Sequence, residues 1–188
     1  MDKNVIFVIV GIVLVAIYVI YYNTVLKKNN LKEAMSGVDV QLKLRYDLIP
    51  NMLKSAAKYM EHERSLFEEI TKLRESAMNA KSYDDRFKAE NSLDAAMRNF
   101  NLKAENYPEL KSDIAMVNAQ KAMVECEEHI AAARRFYNSA VKEYKNAIEI
   151  FPFSVVAMML GFKDIYPFFE VEDSVKENID VDAFFNKN

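Results

Sequence analysis

Residues 31–60 read "LKEAMSGVDVQLKLRYDLIPNMLKSAAKYM". Apolar positions recur there at steps of three and four, at Leu31, Met35, Val38, Leu42, Ile49, Met52, Ala56 and Met60. Arg45 fills the one gap in the stripe. The stripe continues through Phe67, Ile70, Leu73 and Ala77, with Glu63 filling a second gap. A period near 3.5 is the seam of a helical bundle or coiled coil. It predicts one helix from Asn29 to Ala80, about 78 Å long if straight. Pro50 stands inside it. Proline removes a backbone donor and clashes with the carbonyl four residues back, at a cost of about 3 kcal/mol or more. The apolar register holds across the proline, so the expectation is a helix kinked at Pro50, not two helices. The carbonyl set free is that of Tyr46, and Asp47 and Asn51 are polar groups beside the bend. Asp47 could instead cap a segment restarting after it.

Working outward, the rest of the chain is just as helical in pattern. Its 188 residues hold three Gly and four Pro, too few turn formers for many short strands. "KSYDD" (81–85) interrupts the pattern, and Ser82 can cap a second helix carrying Phe87, Leu93, Met97, Phe100 and Ala104. Pro108 suits the first turn of a third helix. Leu110, Ile114, Val117, Val124, Ala131, Val141 and Ile148 mark its apolar face, and Pro152 ends it. Short connections between long helices make antiparallel neighbours. The fold expected is all-α, an antiparallel bundle of three long helices plus a short C-terminal one at 151–162, where Gly161 is placed to stop the helix. That last helix either covers the open side of the bundle or dips into a membrane interface. It lacks a basic face of its own, which favours the first reading.

Before the bundle comes "VIFVIVGIVLVAIYVIYY" (5–22), free of charge. At 1.5 Å per residue it spans about 27 Å, near the ~30 Å of a bilayer core. A cleaved signal peptide would need a more basic start and a small-residue cleavage site. Lys27, Lys28 and Lys32 follow the span, and Lys43 and Arg45 lie further on. By the positive-inside tendency the large domain is cytoplasmic and the short N-terminus is outside. The organisation expected is 1–4 as an external N-terminus, 5–26 as a single-pass anchor, 27–162 as the cytoplasmic bundle and 163–188 as an acidic, mostly extended tail. That tail has seven carboxylates against three lysines.

The chemistry-bearing residues assemble no catalytic set. The chain carries a net charge of −3, without the basic stripe a nucleic-acid binder needs. Cys126 has no partner cysteine and reads as a small buried hydrophobe. A di-iron bundle needs two Glu-x-x-His motifs. His62 is preceded three residues earlier by Tyr59, and His129 by Cys126. "HERSL" lacks the second histidine of a zinc helix. Glycine-rich phosphate loops and nucleophile elbows are absent. No cofactor and no metal are expected. Arg45, Glu63, Glu127 and Arg134 interrupt the stripes of the first and third helices. They are expected either to pair across the bundle, Glu63 with Arg134 among the pairs, or to rest their stems on the core with their heads in water.

Three segments, "QLKLRYDLIPNMLKSAAKYMEHE" (41–63), "AAARRFYNSAVKEYKNAIEIFP" (131–152) and "GFKDIYPFFE" (161–170), together with the apolar N-terminus, resemble the LemA family over essentially the whole chain. The resemblance implies a bacterial membrane-anchored helical bundle with its short N-terminus outward, and it implies no activity. Relatives in that family are linked to envelope processes and internal membrane formation. Its motifs fall on Arg45, Asp47, Pro50 and Asn51, on His62 and Glu63, on Arg134, Tyr137 and Asn138, and on Gly161, Phe162, Phe169 and Glu170. Two departures stand out. A second Tyr-Asn pair is replaced by Tyr144 and Lys145, and a Glu-Asn-Arg-Ile segment reads "EEHI" (127–130). The motif positions, from Arg45 to Glu170, and not the two departures, are the candidate structural or interaction residues. The function expected is a non-enzymatic scaffold or adaptor on the bacterial inner membrane, with a protein partner or a homo-oligomer. The rival is a regulator or enzyme with a polar pocket around Arg45, Asp47, Asn51 and Arg134.

Overall fold

A computed structural model describes residues 3–170; the expectations for residues 1–2 and for the acidic tail from 171 onward lie outside them. The described chain is helical, and no strand occurs among these residues. Helix α1 (Lys3–Ala56) takes in both the apolar N-terminal run and the first stripe. Its 54 residues make a rod about 80 Å long. It passes through Pro50 without a break. The chain breaks instead at 57–60 and at a short 3-10 turn, Glu61–Glu63, before α2 (Arg64–Asn79). The single helix expected over Asn29–Ala80 is therefore two. No glycine or proline marks the break. Tertiary contacts make it: Met60 is fully buried, and the Tyr59 hydroxyl donates to Asp113 Oδ2 at 3.0 Å.

Helix α3 (Tyr83–Ala104) starts where Ser82 Oγ accepts from the Asp85 amide at 3.1 Å. Pro108 opens the one-turn α4 (Pro108–Ser112). Asp113 then caps α5 (Ile114–Glu149) by accepting from the Met116 amide at 3.0 Å. Each cap satisfies an amide that has no intrahelical acceptor. Helix α6 (Phe153–Met159) ends in a Schellman turn. Gly161 sits at φ +76°, and the Phe162 and Gly161 amides donate back to the Ala157 and Met158 carbonyls at 3.0 and 3.2 Å. Glycine takes this left-handed conformation without the steric penalty other residues meet.

Cross-chain contacts give the directions. Lys27 reaches Glu143, Arg45 reaches Glu127 and Tyr59 reaches Asp113, so α5 runs antiparallel to α1. Lys103 reaches Glu63, and the Phe67 and Phe100 rings lie 6.1 Å apart, so α2 and α3 form an antiparallel pair. The body is thus an up-down-up-down arrangement of four helices, with α1 packed on α5 and α2 on α3. The core runs along α1 from Leu31 to Ala56, as the stripe predicts. On α5 the buried face differs from the expected one. Ile114 and Val124 are exposed, while Met116, Met123, Cys126, Ile130, Tyr137 and Tyr144 are buried. Two tyrosines and a cysteine face inward there, so an aliphatic stripe misses the buried side.

The short C-terminal helix does not cover the bundle. Only Ala157 of α6 is buried. The opening between α3 and α5 is filled instead by non-helical residues 162–170. Tyr144, Tyr137 and Asn138 bind Lys163, Pro167 and Phe169 in turn, so this strap runs antiparallel to α5.

Candidate functional site

The bundle centre is ionised. Arg45 lies on the buried face of α1 and is fully shielded from solvent, as is Glu90 on α3. The Arg45 guanidinium donates to Glu90 and to Asp94 on α3, and at 3.1 Å to Glu127 on α5. The Tyr46 hydroxyl donates to the other oxygen of Glu90. Arg134 on α5 closes the ring, with Nη1 3.0 Å from Asp94 Oδ2 and Nη2 3.7 Å from Glu90 Oε2. Three carboxylates thus meet two guanidinium groups across three helices. Burial alone would lower the Arg45 pKa, but Glu90, Asp94 and Glu127 outweigh it and raise it. The cation is locked in. Burial and the neighbouring Glu90 carboxylate raise the Tyr46 pKa, so its phenol stays a donor.

Arg134 also ties this cluster to the strap. Its guanidinium carbon lies 4.1 Å from the centroid of the Phe169 ring, a cation–π geometry. Phe169 is buried and its ring lies 4.0 Å from that of Phe87. Asn138 pairs with the Phe169 backbone in both directions, donating to its carbonyl at 3.0 Å and accepting from its amide at 2.8 Å. The Tyr137 hydroxyl donates to the Pro167 carbonyl at 2.9 Å. The Glu170 carbonyl accepts from Asn91 of α3 at 3.2 Å. So the Arg134, Tyr137 and Asn138 positions and the Phe169 and Glu170 positions, about 30 residues apart, are the two sides of one clamp.

The remaining candidates lie elsewhere. Asp47, Pro50 and Asn51 are exposed on α1, where Asn51 donates weakly to the Asp47 carbonyl at 3.4 Å. They do not join Arg45 and Arg134, so the pocket of those four residues is not assembled. His62 is exposed and Glu63 half-buried in the 3-10 turn at the far end of the bundle. Glu63 pairs with Lys103 and not with Arg134; of the four charged residues that interrupt the stripes, Arg45 and Glu127 are the two that meet. Gly161 and Phe162 sit at the opposite end, where the Phe162 ring lies 6.2 Å from that of Tyr21 and 5.8 Å from Lys28 Nζ. Next to the ionised cluster α3 and α5 leave a cleft of about 220 Å³ lined by Asp94, Met97, Arg98, Asn101, Met123 and Glu127.

Glu90 and Asp94 escaped the sequence reading. The signal was present: Glu90 falls midway between Phe87 and Leu93 on the α3 stripe, at the helical step where a core residue belongs. A charge at that step of α3 is the partner that Arg45 at its step of α1 requires.

These features define a class: an all-helical protein whose long apolar N-terminal helix continues into a bundle with an ionised centre. The model of the LemA family matches residues 34–183, and the chain belongs to that family. Among curated proteins none matches it.

Proposed function

We propose that this protein is a non-catalytic scaffold or adaptor held in the bacterial inner membrane by the start of α1, with the bundle in the cytoplasm and a protein partner or second copy bound to it. The observation that carries the reading is the continuity of α1. Side chains from Val5 to Val19 are exposed with nothing in the fold to cover them, and the same helix then supplies the bundle core from Leu31 to Ala56. A rod without a hinge residue between anchor and bundle holds the bundle at a set distance from the bilayer. The lysines after the span favour the cytoplasmic side. A bend at Pro50 belongs to the same proposal and is supported by the donor that proline removes.

Protease added to intact spheroplasts is expected to leave the bundle uncut, whereas inverted membrane vesicles expose it. Digestion in spheroplasts reverses the orientation. Crosslinking in native membranes is expected to recover a heterologous partner or a dimer.

A second reading, a ligand-binding regulator or enzyme, is favoured by the cleft beside Arg45, Asp94 and Glu127. Filling it with Asn101→Trp separates the two. A scaffold keeps its crosslinked partners, while a regulator loses its response.

A further inference from the structure

We propose that the exposed face of α6 lies in the headgroup–acyl boundary of the same bilayer that α1 crosses, as a second membrane contact. This rests on the reading of α1 as an anchor and adds a place where the bundle itself touches lipid. Residues 150–162 carry no charge. Phe151 is 78% exposed, Met158 80% and Met159 81%, and Val155 and Leu160 are exposed beside them. That is a continuous apolar surface, which a water-soluble domain rarely leaves open.

Depth identifies what covers it. Helix α6 packs against α1, and Phe153 at its start lines one cleft with Thr24 of α1. Phe162, just past α6, lies against Tyr21 and Lys28. Tyr21 is in the last turn of the uncharged run, and Lys28 follows that run by six residues. Phe162 therefore sits at the level where an aromatic belt meets the headgroups. The exposed face of α6 continues the apolar surface of α1 sideways at that level. The cation that α6 lacks stands on its neighbour: Lys28 is on α1, at the height where phosphates lie, while Lys27 beside it pairs with Glu143 at 2.7 Å. An interfacial helix needs an apolar face in the acyl boundary and positive charge beside it, and here two elements share those tasks. A soluble partner would have to reach a surface level with the lipid headgroups, which favours lipid as the occupant.

The test uses the full chain in vesicles of 70% phosphatidylethanolamine and 30% phosphatidylglycerol, with Cys126→Ala and one environment-sensitive fluorophore on an introduced cysteine. Three variants are compared: Leu14→Cys in the apolar run, Met159→Cys on α6 and Phe136→Cys on an exposed part of α5. The expected result is a blue-shifted label at 14 and at 159, each quenched at least twofold by lipids doxyl-labelled near the headgroup or along the chain, with 159 quenched more by the shallow probe. The label at 136 stays unquenched. Quenching at 14 but not at 159 overturns the α6 inference and leaves the anchor standing. A blue shift at 159 without lipid quenching also overturns it and assigns the face to a second copy of the chain. No quenching at 14 overturns the anchor reading, and with it the α6 contact.

Discussion

Arg74 Nε donates to the carbonyl oxygen of Tyr46 at 2.7 Å. That carbonyl would normally accept from the amide four residues on, and the residue four on is Pro50, which has none. The proline in the first stripe thus leaves an acceptor on α1, and α2 uses it to dock. Asp47 and Asn51, the polar neighbours of the proline, are exposed and take no part.

Arg74→Met is expected to leave the Tyr46 carbonyl without a donor in a buried setting, at a cost of about 1–3 kcal/mol. In a Pro50→Ala background the helix supplies its own amide, so the same substitution costs less. A double-mutant cycle read by denaturant unfolding in detergent is expected to show coupling of about 0.5 kcal/mol or more. Additive effects would mean that the Arg74 contact and the missing amide are independent.

Arg45→Met takes away the nearer cation of buried Glu90 and leaves only Arg134 Nη2, 3.7 Å away. Breaking a buried pair from one side costs about 3–5 kcal/mol, a large share of a domain's total stability. Arg45→Met combined with Glu90→Met removes both charges and keeps the volume, and it is expected to regain most of the loss. Thermal melting of the two variants checks this. A double variant as unstable as the single one would show that Arg45 matters through Asp94 and Glu127 instead.

Glu63 separates two pairings that look alike in sequence. Its partner is Lys103, with side chains 18% and 39% exposed respectively, so the coupling expected is at the partly exposed level of about 0.2–1 kcal/mol. Glu63 and Arg134 are expected to show none. A cycle on each pair distinguishes them, and a measurable Glu63–Arg134 coupling would contradict the fold.

The residues that were legible and those that were not differ in kind. The stripe Leu31–Ala56 and the α3 stripe from Phe87 to Ala104 were readable because aliphatic and aromatic side chains at helical spacing have one low-energy place to go. The break after Ala56 was not, because Met60 burial and the Tyr59–Asp113 bond create it without a turn former. The inward face of α5 was missed because Tyr137 and Tyr144 are amphipathic. Their rings fill the core while their hydroxyls bind the Pro167 and Lys163 carbonyls. The ionised centre was half visible: Arg45, Glu127 and Arg134 interrupt their stripes, and Glu90 stands in the gap between Phe87 and Leu93, but Asp94 lies beside the α3 stripe and interrupts nothing. The motifs mark Asn138 and Phe169 separately, but nothing in the sequence joins them, since a backbone pairing leaves no constraint on the partner's side chain.

Alkaline pH should unfold the bundle through its tyrosines. Burial raises the pKa of Tyr137 above its ordinary value of 10.0, and does the same for Tyr144 and Tyr166. In the unfolded chain these phenols ionise near pH 10, while in the fold they stay neutral. Their contribution is therefore complete below pH 10 and is lost as pH rises from there through the raised native values. Absorbance at 295 nm is expected to show these phenols ionising together with the loss of helix. Tyr137→Phe removes one such group, so its stability falls less steeply above pH 10. Its loss at neutral pH is the hydrogen bond to Pro167, about 0.5–1.5 kcal/mol. An unchanged alkaline slope would show that Tyr137 does not contribute to it.

Asn138 holds the strap by imitating a backbone, with one donor and one acceptor set against the amide and carbonyl of Phe169. Asn138→Ala removes both bonds at once. Losing about 1.4 kcal/mol of local stability corresponds to a tenfold change in the opening equilibrium, so exchange at the Phe169 amide is expected to quicken by tenfold or more. Amides in the α3 core, such as that of Leu93, should keep their protection, because α2 and α3 pack on each other without the strap. Asn138→Asp keeps the acceptor for the Phe169 amide, loses the donor to its carbonyl and is expected to fall between the two. Equal acceleration at Phe169 and Leu93 in Asn138→Ala would instead make the strap part of the cooperative core, released only when the whole bundle opens.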